Sequence, residues 1–240
     1  MGIEGYVGEI LIIFGCIFFG IYFIPAGIFH LYFRKLRKSK VERIQPKIPS
    51  KKDMRREFKL SFISVIIFTA CTFMAYQLVK NGYTRFYFDW FDYPIWYAVL
   101  SFFLCLIIHD TYFYWSHRFM HLPGIFKYFH LGHHRSLTPS PWASLAFQPL
   151  EAIVQFGTFL LIVIIIPLHP AVFLIYIVYD SLVNTAGHNG VELVPNFIAK
   201  NPILKFGNTV THHDLHHIDF TKNYGAFFNI WDRIMGTFKE

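Results

Sequence analysis

"LSFISVIIFTACTFMAYQLV", residues 60–79, runs for 20 residues without a charged side chain, and "KKDMRREFK" stands directly before it. An uncharged stretch of that length spans the roughly 30 Å hydrocarbon layer of a bilayer as one helix. Residues 10–33, 95–115, 150–166 and 170–187 repeat the apolar pattern. Composition agrees: 54% of the 240 residues are hydrophobic and 15% charged, against about 25% charged in ordinary soluble domains. The expected fold is an all-α integral membrane protein of four to five transmembrane helices, with a helical cap on the cytoplasmic side. No internal repeat or low-complexity linker divides the chain. One structural domain is therefore expected, made of an N-terminal part (1–94) and a C-terminal part (95–240).

The last two stretches are separated only by "PLHP" at Pro167–Pro170. Two prolines in four residues end one helix and start the next, which leaves a full hairpin or a shallow re-entrant one. The first stretch is too long for a signal-peptide core and lacks a small-residue cleavage site, so it reads as a retained span.

Charge sets the expected orientation. Arg34–Lys59 carries 12 of the 22 Lys and Arg against three acids, a local net charge of +9 (12 − 3) that exceeds the +7 of the whole chain. A basic cluster beside an apolar span reads as a cytoplasmic loop facing anionic headgroups, and no stacking or helix-turn-helix pattern supports nucleic acid. Alternating spans then deliver residues 110–121, His188 and the C-terminal segment to that same face. Cys16, Cys71 and Cys105 lie inside apolar stretches with no paired spacing, as small hydrophobes do.

Eleven of the 13 histidines fall in tight groups between 109 and 217, and only His30 and His169 stand apart. "HDTYFYWSHRFMH" (109–121) reads as the end of the third span, where Asp110, Tyr114, His117 and His121 share one helical stripe. "HLGHH" (130–134) and "THHDLHH" (211–217) each contain histidines three and four apart: His130, His133 and His134, then His213, His216 and His217. His188 follows Asp180 and Asn184 at four-residue steps. One such pair is weak, but nine imidazoles on four short segments beside a greasy domain form a polar concentration that needs a partner, and metal supplies one. Imidazole suits Fe, Zn, Cu and Ni, and nine ligands exceed what one ion uses, so two ions are expected. Carboxylates are expected to accept the outer ring N–H of ligand histidines. Asp110 and Asn184 are the favoured supports, with Asp180, Asp214 and Asp219 as further acids.

"HRFMH", "HLGHH" and "HHDLHH", followed by "NYGAFFNIWDRIMGT" (223–237), resemble the three histidine boxes and closing segment of the fatty acid hydroxylase and sterol desaturase superfamily, membrane-bound di-iron oxygenases. The resemblance runs from about the third span to the C-terminus, so that 95–240 would be the catalytic region. "TPSPWASLAFQPLEA" (138–152) and "GHNGVELVP" (187–195) are most similar to the sterol C5-desaturase branch. The resemblance implies metal ligation by His117, His121, His130, His133, His134, His188, His213, His216 and His217. It implies two iron ions, which zinc can replace in preparations, and O2-dependent hydroxylation or desaturation of a lipid. Three positions depart from the pattern: His109 and His212 are extra histidines beside the boxes, each a tenth ligand, a support or a bystander, and Gln148 stands where the branch usually has His.

Electrons would come from a separate cytochrome b5-like or ferredoxin-type carrier with its reductase, because the chain has no GxGxxG, CxxCH or iron-sulfur cysteine pattern. The location would be the endoplasmic reticulum or a bacterial inner membrane, and the terminal "GTFKE", without a dilysine signal, favours the latter. Two rivals remain at this level. A transition-metal transporter without redox chemistry would line a path across the bilayer, and a zinc hydrolase would carry an HExxH-like motif, which is absent.

Overall fold

The computed structural model describes residues 3–36, 44–45, 47–199, 201–202 and 204–240. Part of the basic segment, residues 37–43 and 46, lies outside the described residues. Among the described residues the fold is helical, with only two isolated β-bridges and no strand.

The first span is a continuous rod of α1 (Ile3–Gly15), a π-helical stretch (Cys16–Phe23) and α2 (Ile24–Leu36). Pro25 explains the wide turns, since its ring crowds the carbonyl of Ile21 and offers no N–H to bond it. The Ser181 hydroxyl donates to that carbonyl instead. Helix α3 (Lys51–Lys80) is longer than the apolar run at 60–79, because Ser50 and Asp53 form a capping box and nothing between them and Leu60 breaks a helix. The expected basic loop is therefore helical from Lys51 onward, a charged extension of the second span.

Helix α4 (Ile95–Met120) is the third span. After the short helices α5 (Phe126–Phe129) and α6 (Leu131–His134) the chain returns through α7 (Pro149–Ile165) and α8 (Pro170–Gly187). The "PLHP" turn lies at the end of α4 remote from the histidines. Tyr97 near the start of α4 donates to the Pro167 carbonyl at 3.0 Å, and Leu168 exchanges backbone bonds with Arg85 and Tyr87. The hairpin thus runs the full length of α4. Among the described residues four helices are long and apolar enough to cross a membrane, Glu4–Lys35, Lys51–Lys80, Ile95–Met120 and Pro170–Gly187, while α7 is a shorter apolar helix of 17 residues. Their outer faces expose Leu11, Ile12, Ile66, Met74, Ile107 and Leu174, as lipid-facing helices do.

Inside, α7 packs against α3 and α4. Cys105, Ile162, Leu168, Val172 and Tyr176 form one apolar cluster, and Tyr22, Val65, Phe68, Phe147 and Ala152 another. The remainder folds over the end of α4 and α8 as a cap, which includes α9 (Asn196–Ala199), α10 (Val210–Ile218) and α11 (Ile230–Ile234). The cap is tied to the spans through Trp142, whose carbonyl accepts from Tyr22 and Ser61 at 3.1 and 2.9 Å.

Candidate metal centre

Five elements bring the boxes together. His117 lies in the last turn of α4, with His121 as its C-terminal cap. "HLGHH" is not one helix: His130 has φ −130° and sits in the break between α5 and α6, while His133 and His134 occupy the single turn of α6. His188 caps the C-terminus of α8. His213, His216 and His217 lie on one face of α10.

The nine rings form two groups. Ligand-capable nitrogens of His117, His121, His130, His134 and His216 all lie within 4.8 Å of one another, as do those of His133, His188, His213 and His217. Only His121 and His213 are partly exposed. In the first group Nε2 atoms meet at 2.8 Å (His117–His130), 3.3 Å (His117–His121), 3.2 Å (His121–His134) and 3.1 Å (His134–His216). In the second they meet at 3.5 Å (His133–His188), 3.1 Å (His188–His213) and 3.2 Å (His213–His217).

Outer contacts fix which nitrogen points inward. His117 donates its Nδ1–H to the Tyr224 carbonyl at 2.9 Å, His216 to Lys222 at 2.6 Å, and His188 to Asn184 at 2.7 Å. A carbonyl only accepts, so each of these rings presents a bare Nε2 lone pair to the group. His130 Nδ1 is 2.6 Å from Glu151 Oε1. His130 Nε2 faces the bare Nε2 of His117 at 2.8 Å, a gap that a shared proton or a shared cation closes. Nitrogens that share one ion at about 2.1 Å stand about 3 to 3.5 Å apart. The residues present therefore fit two metal ions.

Burial reinforces this. It holds His130, His133, His134, His213, His216 and His217 well below the usual histidine range, with neighbouring imidazoles acting in the same direction. His121 is pushed down to about 3 by burial and His216, and His188 to about 4 by burial. Neutral imidazole is the form that binds metal.

The expected carboxylate supports are placed otherwise. Asp110 touches no histidine ring: its Oδ1 accepts from the backbone N–H of Ala226, Phe227 and Phe228 at 3.2, 2.8 and 3.0 Å, anchoring the closing segment to α4. Asn184 supports His188 through its carbonyl, while its side-chain amide donates to Ser144. Asp214 accepts from Gln45, Asp219 pairs with Lys239 at 3.0 Å, and Asp180 lies 3.7 Å from His109. The acid that does meet a ring is Glu151, fully buried at the start of α7. Its sequence signal was the helix start "QPLE", where Glu151 completes a capping box with Gln148.

Neither extra histidine joins the groups. His212 is the reciprocal partner of Thr209 in the α10 capping box, with its ring on Phe238. His109 bonds the Tyr176 hydroxyl at 2.6 Å. Gln148, in place of a histidine, accepts from Gly132 N–H at 2.6 Å and donates to the carbonyls of Lys127 and Tyr128, clamping the second box. His30 and His169 stand away from both groups, His169 stacking on Trp90 with ring centroids 3.6 Å apart.

The closing segment is shaped by a residue that composition does not reveal. Asn223 adopts φ 56°, a left-handed conformation that asparagine tolerates. The turn aims the carbonyls on either side of it, Lys222 and Tyr224, at His216 and His117. Asp232, fully buried, holds the turn by accepting from Tyr224 and Gly225 N–H at 2.9 and 2.8 Å. Beside the groups lies a cavity of about 400 Å³, lined by His117, His130, His133, His188 and His213 together with Phe113, Phe147, Phe159 and Phe227.

The fatty acid hydroxylase family model matches residues 102–237, more than half of the chain and every histidine in the two groups. The chain belongs to this family. Within the curated proteins it is 32% identical over 192 residues to lathosterol oxidase of Homo sapiens, covering 79% of this chain and 62% of that protein. It is 30% identical to the Delta(7)-sterol 5(6)-desaturase ERG3A of Gibberella zeae, covering 91% and 59%, and 26% identical to ERG3 of Saccharomyces cerevisiae, covering 79% and 50%. The chain thus spans only part of the length of these relatives. No solved structure matches it.

Proposed function

We propose that the chain is a membrane-bound oxidoreductase that uses O2 and two iron ions to hydroxylate or desaturate a lipid of sterol or fatty acyl type. The observation that carries this reading is the convergence of nine imidazoles into groups of five and four, with His117, His188 and His216 turning bare Nε2 atoms inward. Names of the relatives, oxidase and desaturase, agree with it. His117, His121, His130, His134 and His216 would hold one ion, and His133, His188, His213 and His217 the other.

Bound iron would supply reductive activation of O2 and hydrogen abstraction from an unactivated C–H bond. The chain's own residues do the rest. Glu151 and the carbonyls of Asn184, Lys222 and Tyr224 hold the rings in orientation and keep the proton on Nδ1. Phenylalanines in the cavity wall exclude water and place one substrate carbon beside the nitrogens. Either outcome consumes O2 and an electron pair, delivered in this reading by a separate cytochrome b5-like or ferredoxin-type carrier. The basic segment 34–59 supports a cytoplasmic position for the boxes in this reading, in the endoplasmic reticulum or a bacterial inner membrane.

Mass spectrometry of lipid extracts from cells with and without the chain tests the reading. One lipid class is expected to gain an oxygen atom or lose two hydrogens, with O2 required. Unchanged lipids in cells whose protein carries its iron would overturn it, and freely exchangeable metal would favour transport.

A further inference from the structure

Away from the histidine groups, the cavity wall contains a second polar patch that the proposed chemistry does not use. His109 on α4 and Asp180 on α8 both line the cavity. His109 is 6% exposed, and its Nδ1 is engaged by the fully buried Tyr176 hydroxyl at 2.6 Å. Its Nε2 has no hydrogen-bond partner among the described residues. The Asp180 carboxyl lies 3.7 Å from His109 Nδ1, too far for a hydrogen bond, and has none elsewhere among the described residues. Phe113, Phe159 and Phe227 surround the His109 ring with centroids 5.9, 6.1 and 4.8 Å away. A carboxyl and an imidazole in an apolar span are costly unless something polar meets them.

Their chemistry narrows what that something is. The pair offers an acceptor at Asp180 and a ring nitrogen able to donate at His109, which suits a group that both donates and accepts. An anion would face the carboxyl, and an ammonium has no lone pair to accept from the ring N–H; a hydroxyl donates to one and accepts from the other. Position narrows it further. His109 precedes His117 by eight residues on α4, and Asp180 precedes His188 by eight on α8, so each lies about 12 Å from the histidine groups along its helix. Both helices end at those groups, so the pair sits about two turns deeper in the same cavity.

We propose that His109 and Asp180 bind a hydroxyl of the lipid substrate at a point on the order of 10 Å from the carbon that is oxidised, and so select hydroxylated lipids over their deoxy counterparts. Tyr176 is the positioning residue that fixes the His109 ring. The proposal rests on the lipid-oxidising reading above, and names the substrate feature read by the same cavity.

Equilibrium retention by the purified, metal-loaded full chain tests it, using matched probes: cholestanol against cholestane, and 1-hexadecanol against hexadecane. Wild type is expected to retain one alcohol over its hydrocarbon roughly tenfold more than His109→Phe or Asp180→Leu does, with hydrocarbon retention unchanged in the variants. Asp180→Asn, closest in shape, gives an intermediate ratio and replaces the leucine variant should that one fail to fold. Metal content read on each preparation shows that the histidine groups are intact. The same alcohol-to-hydrocarbon ratio in wild type and variants would overturn the proposal. Binding is read without turnover, so failure to oxidise any lipid would sink the enzymatic reading while leaving the ratio interpretable. Equal ratios alongside intact lipid oxidation would sink the anchor alone.

Discussion

Glu151 Oε1 lies 2.6 Å from Nδ1 of His130, and both side chains are closed off from solvent. This carboxyl meets a ring of the first histidine group directly. A carboxyl there sets the tautomer of His130 and strengthens its inward nitrogen as a donor to metal. The glutamine variant E151Q retains the shape and loses the charge. It is expected to lower metal affinity by roughly 10- to 100-fold, read as iron per chain after dialysis against a graded chelator. Wild-type retention in E151Q would show that Glu151 serves only as a helix cap.

Asp110 predicts a different phenotype, because it holds backbone rather than a ring. Replacing it by leucine strands three N–H groups, that of Phe227 buried and those of Ala226 and Phe228 partly so. The expected cost is about 2–4 kcal/mol of stability, with D110N less affected because its amide oxygen still accepts. Thermal unfolding in detergent measures it. Equal melting of wild type and D110L would show that the closing segment is held from elsewhere.

His212 and His213 are neighbours with opposite expectations. His212→Gln can still complete the capping box with Thr209 and is expected to keep the full metal complement. His213→Ala removes one nitrogen from the group of four and is expected to weaken one ion selectively. Metal analysis of the two variants side by side checks this. Equal losses would mean that the face of α10 has been misassigned.

Acid should release the metal. His121 and His188 are pushed down to about 3 and about 4 in the folded chain, against an ordinary 6.5. Between those values the unfolded chain binds protons that the folded one refuses, so stability rises with pH in that window. Above about 6.5 the rings are neutral in both states and contribute no slope. Protons also compete directly with metal for the inward nitrogens. Iron retention and melting temperature are therefore expected to be level above about pH 7 and to fall progressively below 6.5. A profile level down to pH 4.5 would contradict this.

Spans, boxes and their convergence were legible because each rests on residue type and period: long apolar runs, and histidines three and four apart. The supports of the rings were far less so. Carbonyls at Asn184, Lys222 and Tyr224 carry no side-chain signature, and the turn that aims two of them depends on one φ at Asn223. Asp110 shares a helical stripe with His117, which suggested a ring contact, but the stripe faces the returning chain at 226–228. "HLGHH" had helical spacing without being one helix, since His130 must leave the helical path for its Nε2 to meet His117. Tertiary closure decided these points, and a periodic pattern does not encode it.

In the proposed site nine imidazole nitrogens cage two redox-active ions. Metal analysis combined with O2 uptake on one purified preparation tests it most directly. The expected result is about two irons per chain, roughly halved by removing any three of the four histidines in the second group, and lipid-dependent O2 consumption only when iron is present. A single tightly held zinc with no O2 uptake after iron loading would contradict it.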